Sequence, residues 1–210
     1  MVKEELYMND QVMRNLSYGL FVLTAKDGEK DNGCIINTVC QVASEPNTIS
    51  ISVNKQNFTC EMIRKTGCFN VSILSENAKF PTFQHFGFQS GRDTDKMKSI
   101  AFSRAANGVA YLDGDEVNAF ISGRVLHSID LGSHMLFIAA VTDGEILHSD
   151  PSATYSFYFT HIKPKPEAKP AAKKGWICTI CGYIYEGEIL PDDFICPVCK
   201  HPASDFKKLE

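Results

Sequence analysis

The chain has no apolar run long enough to cross a bilayer. Its longest, Met135 to Val141, has seven residues, where a spanning helix needs about 20. The start, Met1-Val2-Lys3-Glu4-Glu5-Leu6, is acidic and lacks the apolar centre of a secretory signal. A cytoplasmic protein with no membrane partner is therefore expected. Neither sign of charge dominates. The 21 basic side chains are set against 25 acidic ones, which disfavours nucleic acid as a partner. There is no G-x-G-x-x-G, so a Rossmann nucleotide site is not expected. Repeats at solenoid spacing are also missing.

What is present is an apolar content of 44% over 210 residues. That suits one domain of ordinary size plus a small module. The small module announces itself through four cysteines. Cys178 and Cys181 have the C-x-x-C spacing, and Cys196 and Cys199 repeat it as Cys-Pro-Val-Cys. Two such knuckles can fold around one ion and offer it four thiolates in a tetrahedron, which selects zinc or iron. A structural zinc ribbon is open to this spacing.

The neighbours favour iron. Gly175-Trp176-Ile177-Cys178-Thr179-Ile180-Cys181-Gly182-Tyr183-Ile184-Tyr185, then Phe194-Ile195-Cys196-Pro197-Val198-Cys199 and a late Phe206, resemble a rubredoxin. The fourteen residues between the knuckles are fewer than in free-standing rubredoxins, as in shortened rubredoxin modules of larger redox proteins. The aromatics would give a tiny domain its core and wall the metal from water. Gly182 would let amide N–H groups turn toward sulfur, and such hydrogen bonds tune an iron–thiolate potential. Iron at Cys178, Cys181, Cys196 and Cys199 is thus expected, with zinc possible in recombinant material. The other cysteines, Cys34, Cys40, Cys60 and Cys68, lack motif spacing and read as small buried hydrophobes in a reducing compartment.

Before the module lies Lys163-Pro164-Lys165-Pro166-Glu167-Ala168-Lys169-Pro170-Ala171-Ala172-Lys173-Lys174, with three prolines and five lysines. This composition predicts an extended linker over 163–174, with a reach of about 35–40 Å. It divides the chain into a domain at 1–162 and a module at 175–210. The linker's charge of +4 lies between bodies of −5 and −3.

Residues 1–162 read as mostly strand. Apolar segments at 18–26 and 33–42 flank a turn at 27–31, and Glu45-Pro46-Asn47 closes the second. Thr48 to Val53 alternates strictly, with Ile49, Ile51 and Val53 on one face. Asn57 is placed to cap a helix to about Lys65, and Gly67 to end it. Strands follow at 69–74, 117–129 and 134–142, and residues 11–17 suit a short entry helix. Many short strands with few helices predict an antiparallel barrel.

Here a second resemblance enters. Asn32-Gly33-Cys34-Ile35-Ile36-Asn37-Thr38-Val39-Cys40-Gln41-Val42-Ala43-Ser44-Glu45-Pro46, Asn54-Lys55-Gln56-Asn57-Phe58-Thr59, Gly67-x-Phe69-x-Val71, Asp95-Lys96-Met97 and Gly132-Ser133-His134 resemble, in order, motifs of the flavin reductase-like FMN-binding split barrels. Met97 and Ser133 depart from the commoner residues there. The fold class implied is mainly β: a split β-barrel with few short helices, plus a small rubredoxin-like metal-knuckle domain. The resemblance implies FMN. A phosphate wants N–H donors and positive charge, which the Asn54–Thr59 turn, a helix N-terminus and Lys55 offer. Asn37, Thr38, Val39 and Cys40 are expected at the ribityl chain and the ring's polar edge. His134 is the candidate catalytic contact to flavin or nicotinamide. His85, His127, His148 and His161 have no metal spacing and read as structural or surface residues.

The whole arrangement resembles the high-molecular-weight rubredoxins, in which a flavin reductase domain is fused to a rubredoxin. That implies NADH or NADPH as donor, FMN as the two-to-one electron converter, iron as the next carrier and a redox partner protein as acceptor. By analogy that acceptor is a diiron flavoprotein reducing nitric oxide or dioxygen. A homodimer is implied as well. Two other readings stay open: a reductase that hands free reduced flavin to a monooxygenase, and a non-enzymatic barrel with a zinc-ribbon interaction module.

Overall fold

The computed structural model describes residues 10–164 and 175–209. The expectations for the N-terminal six residues and for linker positions 165–174 fall outside the described residues. Among those described, no helix is long and apolar enough to cross a membrane.

The large domain is built on one seven-stranded antiparallel sheet. Its strands are β1 (Phe21–Asp27), β2 (Lys30–Ile36), β3 (Val39–Ser44), β4 (Asn47–Asn54), β5 (Cys68–Leu74), β8 (Val117–Asp130) and β9 (His134–Ile146). Their order is β2-β1-β5-β8-β9-β4-β3. β6 (Ser103–Arg104) and β7 (Ala110–Tyr111) form a separate ribbon.

The expected strand at 33–42 is two strands. β2 pairs with β1, and β3 pairs with β4. The polar pair Asn37-Thr38 makes the break. The Thr38 hydroxyl donates to the Ser52 carbonyl at 2.6 Å, and the Ser52 N–H donates to the Thr38 carbonyl at 3.3 Å. Consecutive strands thereby occupy opposite edges of one sheet. The step from Ile36 to Val39 spans at most about 10 Å, so the sheet must curl until its edges meet. Barrel closure follows from connectivity.

Side-chain alternation gives the sheet two cores. Phe21, Leu23 and Ala25 of β1 pack with Ile49, Ile51 and Val53 inside the barrel, under α1 (Phe58–Thr66). Leu20 and Val22 point the other way, toward Phe83 and Phe86 of α2 (Phe80–Gly87). α1 begins and ends as expected. The Asn57 side chain accepts from the Thr59 N–H, and Gly67, at φ +71°, donates its N–H to Ile63 O. Sequence reading missed α2, whose aromatic content has little helix propensity. Tertiary burial decides there, with Pro81 tolerated in the first turn. It also missed the helical segment from Tyr155 to Ile162.

The small domain is a three-stranded sheet with β10 (Gly175–Cys178) between β11 (Ile184–Tyr185) and β12 (Phe206–Leu209). Trp176, Tyr183, Tyr185, Phe194 and Phe206 pack around Leu190 and the cysteines, as expected. A core this small is marginal without a metal or another staple.

Candidate functional site

The four thiols converge. Cys178 Sγ lies 3.6 Å from Cys199 Sγ, and Cys181 Sγ lies 3.5 Å from Cys196 Sγ. All four sulfurs are within 4.8 Å of one another. Metal–sulfur bonds of about 2.3 Å give a tetrahedron with edges of about 3.8 Å, so the donor set fits a tetrahedral ion. Cys178 and Cys196 are buried, while Cys181 and Cys199 are half-buried. Each knuckle therefore keeps one sulfur inside and brings one toward the surface.

Backbone N–H groups point at these sulfurs: Tyr183 at Cys181, Val198 and Cys199 at Cys196, and His201 at Cys199. Burial pushes the Cys181 thiol up to about 11, against the pull of the Tyr183 N–H. Burial also raises Cys199. At Cys196 burial acts in the same direction, but the Cys199 and Val198 N–H groups, together with the Cys199 and Cys181 thiols, outweigh it and the thiol is lowered. A bound cation overrides burial and takes all four as thiolates. The same N–H groups then hold the sulfur charge.

The two knuckles are near-copies with one difference. Gly182 and Lys200 each donate their N–H at 2.9 Å to the carbonyl of the first cysteine of their knuckle. Both sit in the left-handed region, Gly182 at φ +81° and Lys200 at φ +60°. Glycine is at home there, whereas a side chain costs about 1–2 kcal/mol.

The flavin candidates gather at adjoining strand ends. Thr38 bonds to Ser52, and two residues further along β4, Asn54 pairs in register with His134 of β9. The Lys55 N–H donates to Ser133 O, and Ser133 Oγ lies 2.9 Å from His134 Nδ1. Lys55 Nζ pairs with Asp130 at 2.8 Å, and this contact holds the Asp130 carboxyl below its ordinary value. Val39 is half-buried and Cys40 exposed at the start of β3.

Two expectations need correction. Cys40 is not a buried hydrophobe, because β3 is an exposed edge strand; Cys68 is only half-buried. Thr59 is fully buried, and its hydroxyl accepts from Asn32 Nδ2 at 2.9 Å. It braces the scaffold and does not reach solvent. The N–H groups of Lys55, Gln56, Asn57, Thr59 and Cys60 likewise bond within the chain. Side-chain charge is therefore what a phosphate would meet here, and part of it is already paired, Lys55 with Asp130 and Arg92 with Glu61 at 2.8 Å each. Lys30 Nζ and the Arg92 guanidinium lie 4.7 and 4.9 Å from the Phe58 ring, and Lys96 stands behind.

Sequence reading gave Lys96 no role beyond a motif. It is 2% exposed, and its ammonium donates to Gly33 O at 3.0 Å and Phe86 O at 2.9 Å. It thus ties the C-terminal end of α2 to β2. Burial lowers its pKa from the ordinary value. A lone lysine in a polar loop carries no sequence signal for this.

A cleft of about 520 Å³ lies over this ground, within the range of small-molecule sites. Asn54, Gln56–Phe58 and the 86–91 segment line the barrel side, and Cys199–Pro202 of the small domain lines the other. Among the flavin candidates only Asn54 lines it; Asn37–Cys40, Lys55 and His134 lie on neighbouring strand ends. A larger groove of about 900 Å³ runs beside α2, away from these residues. Its Glu116 is already engaged by the Thr82 hydroxyl and the Lys79 N–H. His85 is structural, as expected, with Nε2 at 2.6 Å from Lys96 O.

Comparison with known proteins agrees with this geometry. Residues 13–165 match the flavin reductase like domain, and residues 176–207 match the rubrerythrin, rubredoxin-like domain. High molecular weight rubredoxin of Moorella thermoacetica is 32% identical over 96% of this chain and all of that protein. The ferric-chelate reductase (NAD(P)H) of Archaeoglobus fulgidus is 30% identical over 75% of this chain and 93% of its own. Among solved structures, the NADH:FAD oxidoreductase SgcE6 of Streptomyces globisporus superposes with a TM-score of 0.63. It covers 75% of this chain and 92% of its own at 17% identity. The chain belongs to the flavin reductase-like family, in the form that carries a C-terminal rubredoxin-like domain.

Proposed function

We propose that the chain takes hydride from NAD(P)H onto bound FMN and passes electrons singly to an Fe(Cys)4 centre. From there they leave for an acceptor protein, a diiron flavoprotein that reduces nitric oxide or dioxygen. One observation carries the reading: a four-thiolate cage stands on the same chain as a flavin reductase-like barrel. Flavin supplies the conversion between two-electron and one-electron chemistry. The chain's own residues do the rest. Lys55 and the cations around Phe58 draw the phosphate. Asn37, Thr38, Val39, Cys40 and Asn54 hold the polar parts of the cofactor, and Thr59 braces them from behind. His134, with Ser133 Oγ against its Nδ1 at the start of β9, would offer its ring to the flavin or the nicotinamide. Eight free thiols suit a reducing cytoplasm.

The test is an anaerobic stopped-flow experiment on the iron-loaded, FMN-loaded protein. On mixing with NAD(P)H, flavin bleaching should precede iron bleaching. Iron that stays ferric while the flavin turns over would refute the route. Lys55→Met should raise the FMN dissociation constant by about tenfold, the effect of one charge-assisted hydrogen bond. Fluorescence titration of the apoprotein measures it, and an unchanged constant removes Lys55 from the site.

We further propose a homodimer. β3 is exposed along nearly its whole length, and Val42, Leu126, Ile129 and Leu131 are exposed apolar side chains on β3 and the β8–β9 hairpin. A second copy of the same face would cover them and the neighbouring flavin candidates. The double substitution Ile129→Asp with Leu131→Asp should give a monomer by sedimentation and weaken FMN retention. A dimer that persists in that variant places the interface elsewhere.

A further inference from the structure

We propose that the cleft between the barrel and the rubredoxin-like domain is the junction where electrons reach the metal, and that Lys200 positions the second knuckle there against Asp93. The inference rests on the flavin-to-iron reading above. The small domain meets the barrel through both knuckles, but the two meet different chemistry. Cys181 and Gly182 of the first knuckle border an apolar patch with Phe80 and Phe159. The Lys163 ammonium, 5.0 Å from the Phe159 ring, donates to Ile180 O at 2.6 Å and fastens this side. The second knuckle, Cys199 to Pro202, borders the polar cleft with Asn54, Asn57, Asp93 and Lys96. Cys199 is the metal ligand that lines it.

The difference between the knuckles follows the same division. On the apolar side the left-handed position is filled by Gly182, which has no side chain to strain. On the cleft side it is filled by Lys200. Strained backbone is retained where the side chain has a task. Here Lys200 lines the cleft from one wall and Asp93 from the other, with no ion pair closed between them. Opposite charges facing each other across a cleft steer and orient the knuckle without a large interface, which suits a contact that must also release. Release is required because the covered face holds both half-buried ligands, Cys181 and Cys199. One hydride from NAD(P)H brings two electrons. Two single transfers therefore reduce two ferric centres to ferrous for each nucleotide oxidised, with one proton released.

Docking can be read without electron transfer. In the full-length protein, paramagnetic cobalt at the cysteine site, compared with zinc, should broaden the backbone amide signals of Gln56–Phe58 and Gly87–Asp93 more than those elsewhere in the barrel. Lys200→Gly removes the ammonium and relaxes the backbone, so the knuckle keeps its metal and its fold. It should weaken that broadening and slow iron reduction by roughly tenfold or more, while flavin reduction by NAD(P)H is unchanged. The charge swap Lys200→Asp with Asp93→Lys should restore both, since Asp tolerates the left-handed region. Broadening spread evenly over the barrel, or a Lys200→Gly variant with parent broadening and parent iron reduction, overturns the junction. Preferential broadening in a protein whose iron NAD(P)H never reduces would keep the docking and refute the flavin-to-iron reading instead.

Discussion

Cys199→Ser is expected to abolish the ferric centre and leave the flavin reactions standing. The substitution removes one of four thiolates from a cage whose sulfurs already sit at bonding geometry. Serine offers a harder and far less acidic donor in its place. The small domain has only a short aromatic core, and metal binding supplies much of the folding free energy of such domains. Loss of iron should therefore come with loss of cooperative unfolding in residues 175–209. The barrel has its own two cores and should still bind FMN and oxidise NAD(P)H with a small artificial acceptor. Metal analysis, the visible spectrum and NAD(P)H oxidation measure the three outcomes separately. Equal loss of flavin and iron activities would mean that the two parts do not fold independently.

Lys96→Met should cost about 2–4 kcal/mol of barrel stability, because two buried carbonyls lose a charged donor. The swap nearly conserves volume, so little of the effect comes from packing. Phe86 O belongs to the last turn of α2, where helix carbonyls lack intrahelical partners and favour a cation. Without Lys96 the end of α2 and the following segment should detach from Gly33. Burial lowers the folded-state pKa of this lysine below 10.5. Between that lowered value and 10.5 the unfolded chain binds the proton more tightly, so this group's contribution to stability rises with pH. Below the lowered value the cost of the buried charge is present in full. Urea midpoints across the alkaline range should show that rise in the parent and not in Lys96→Met. Equal midpoints for the two proteins at neutral pH would show that the two carbonyls do not need the ammonium.

The metal site was legible because its information is local. Two C-x-x-C pairs and a few aromatics act over a short stretch, and both ligands and core follow from them. The barrel was legible where side chains alternate, as in Thr48 to Val53, and where a cap marks a boundary, as at Asn57 and Gly67. The split between β2 and β3 was hidden inside one apolar run. Nothing local tells Ile36 that its partner is Phe21 while that of Val39 is Ile51. α2 is held by burial against distant strands. Thr59 and Lys96 were opaque for the same reason. A hydroxyl at a helix start reads as a ligand contact until Asn32, from another strand, is seen to claim it. A lysine reads as solvated until two carbonyls far apart in sequence are seen to hold it.

The edge-to-edge meeting of β2 and β3 also has a consequence in time. β4 finds its second neighbour in β9, at Thr48↔Ala140 through Asn54↔His134, roughly 80–90 residues later in synthesis. At about 5–20 residues per second, the β3–β4 hairpin waits roughly 4–18 s with an unpaired edge and an uncovered Ile49, Ile51 and Val53. β1 meets β5 much sooner. The ribosome therefore presents a half-sheet whose free edges match those of other nascent copies. This barrel's exposure to misassembly is set by the order in which its strands are made, and it ends only when the long C-terminal hairpin arrives.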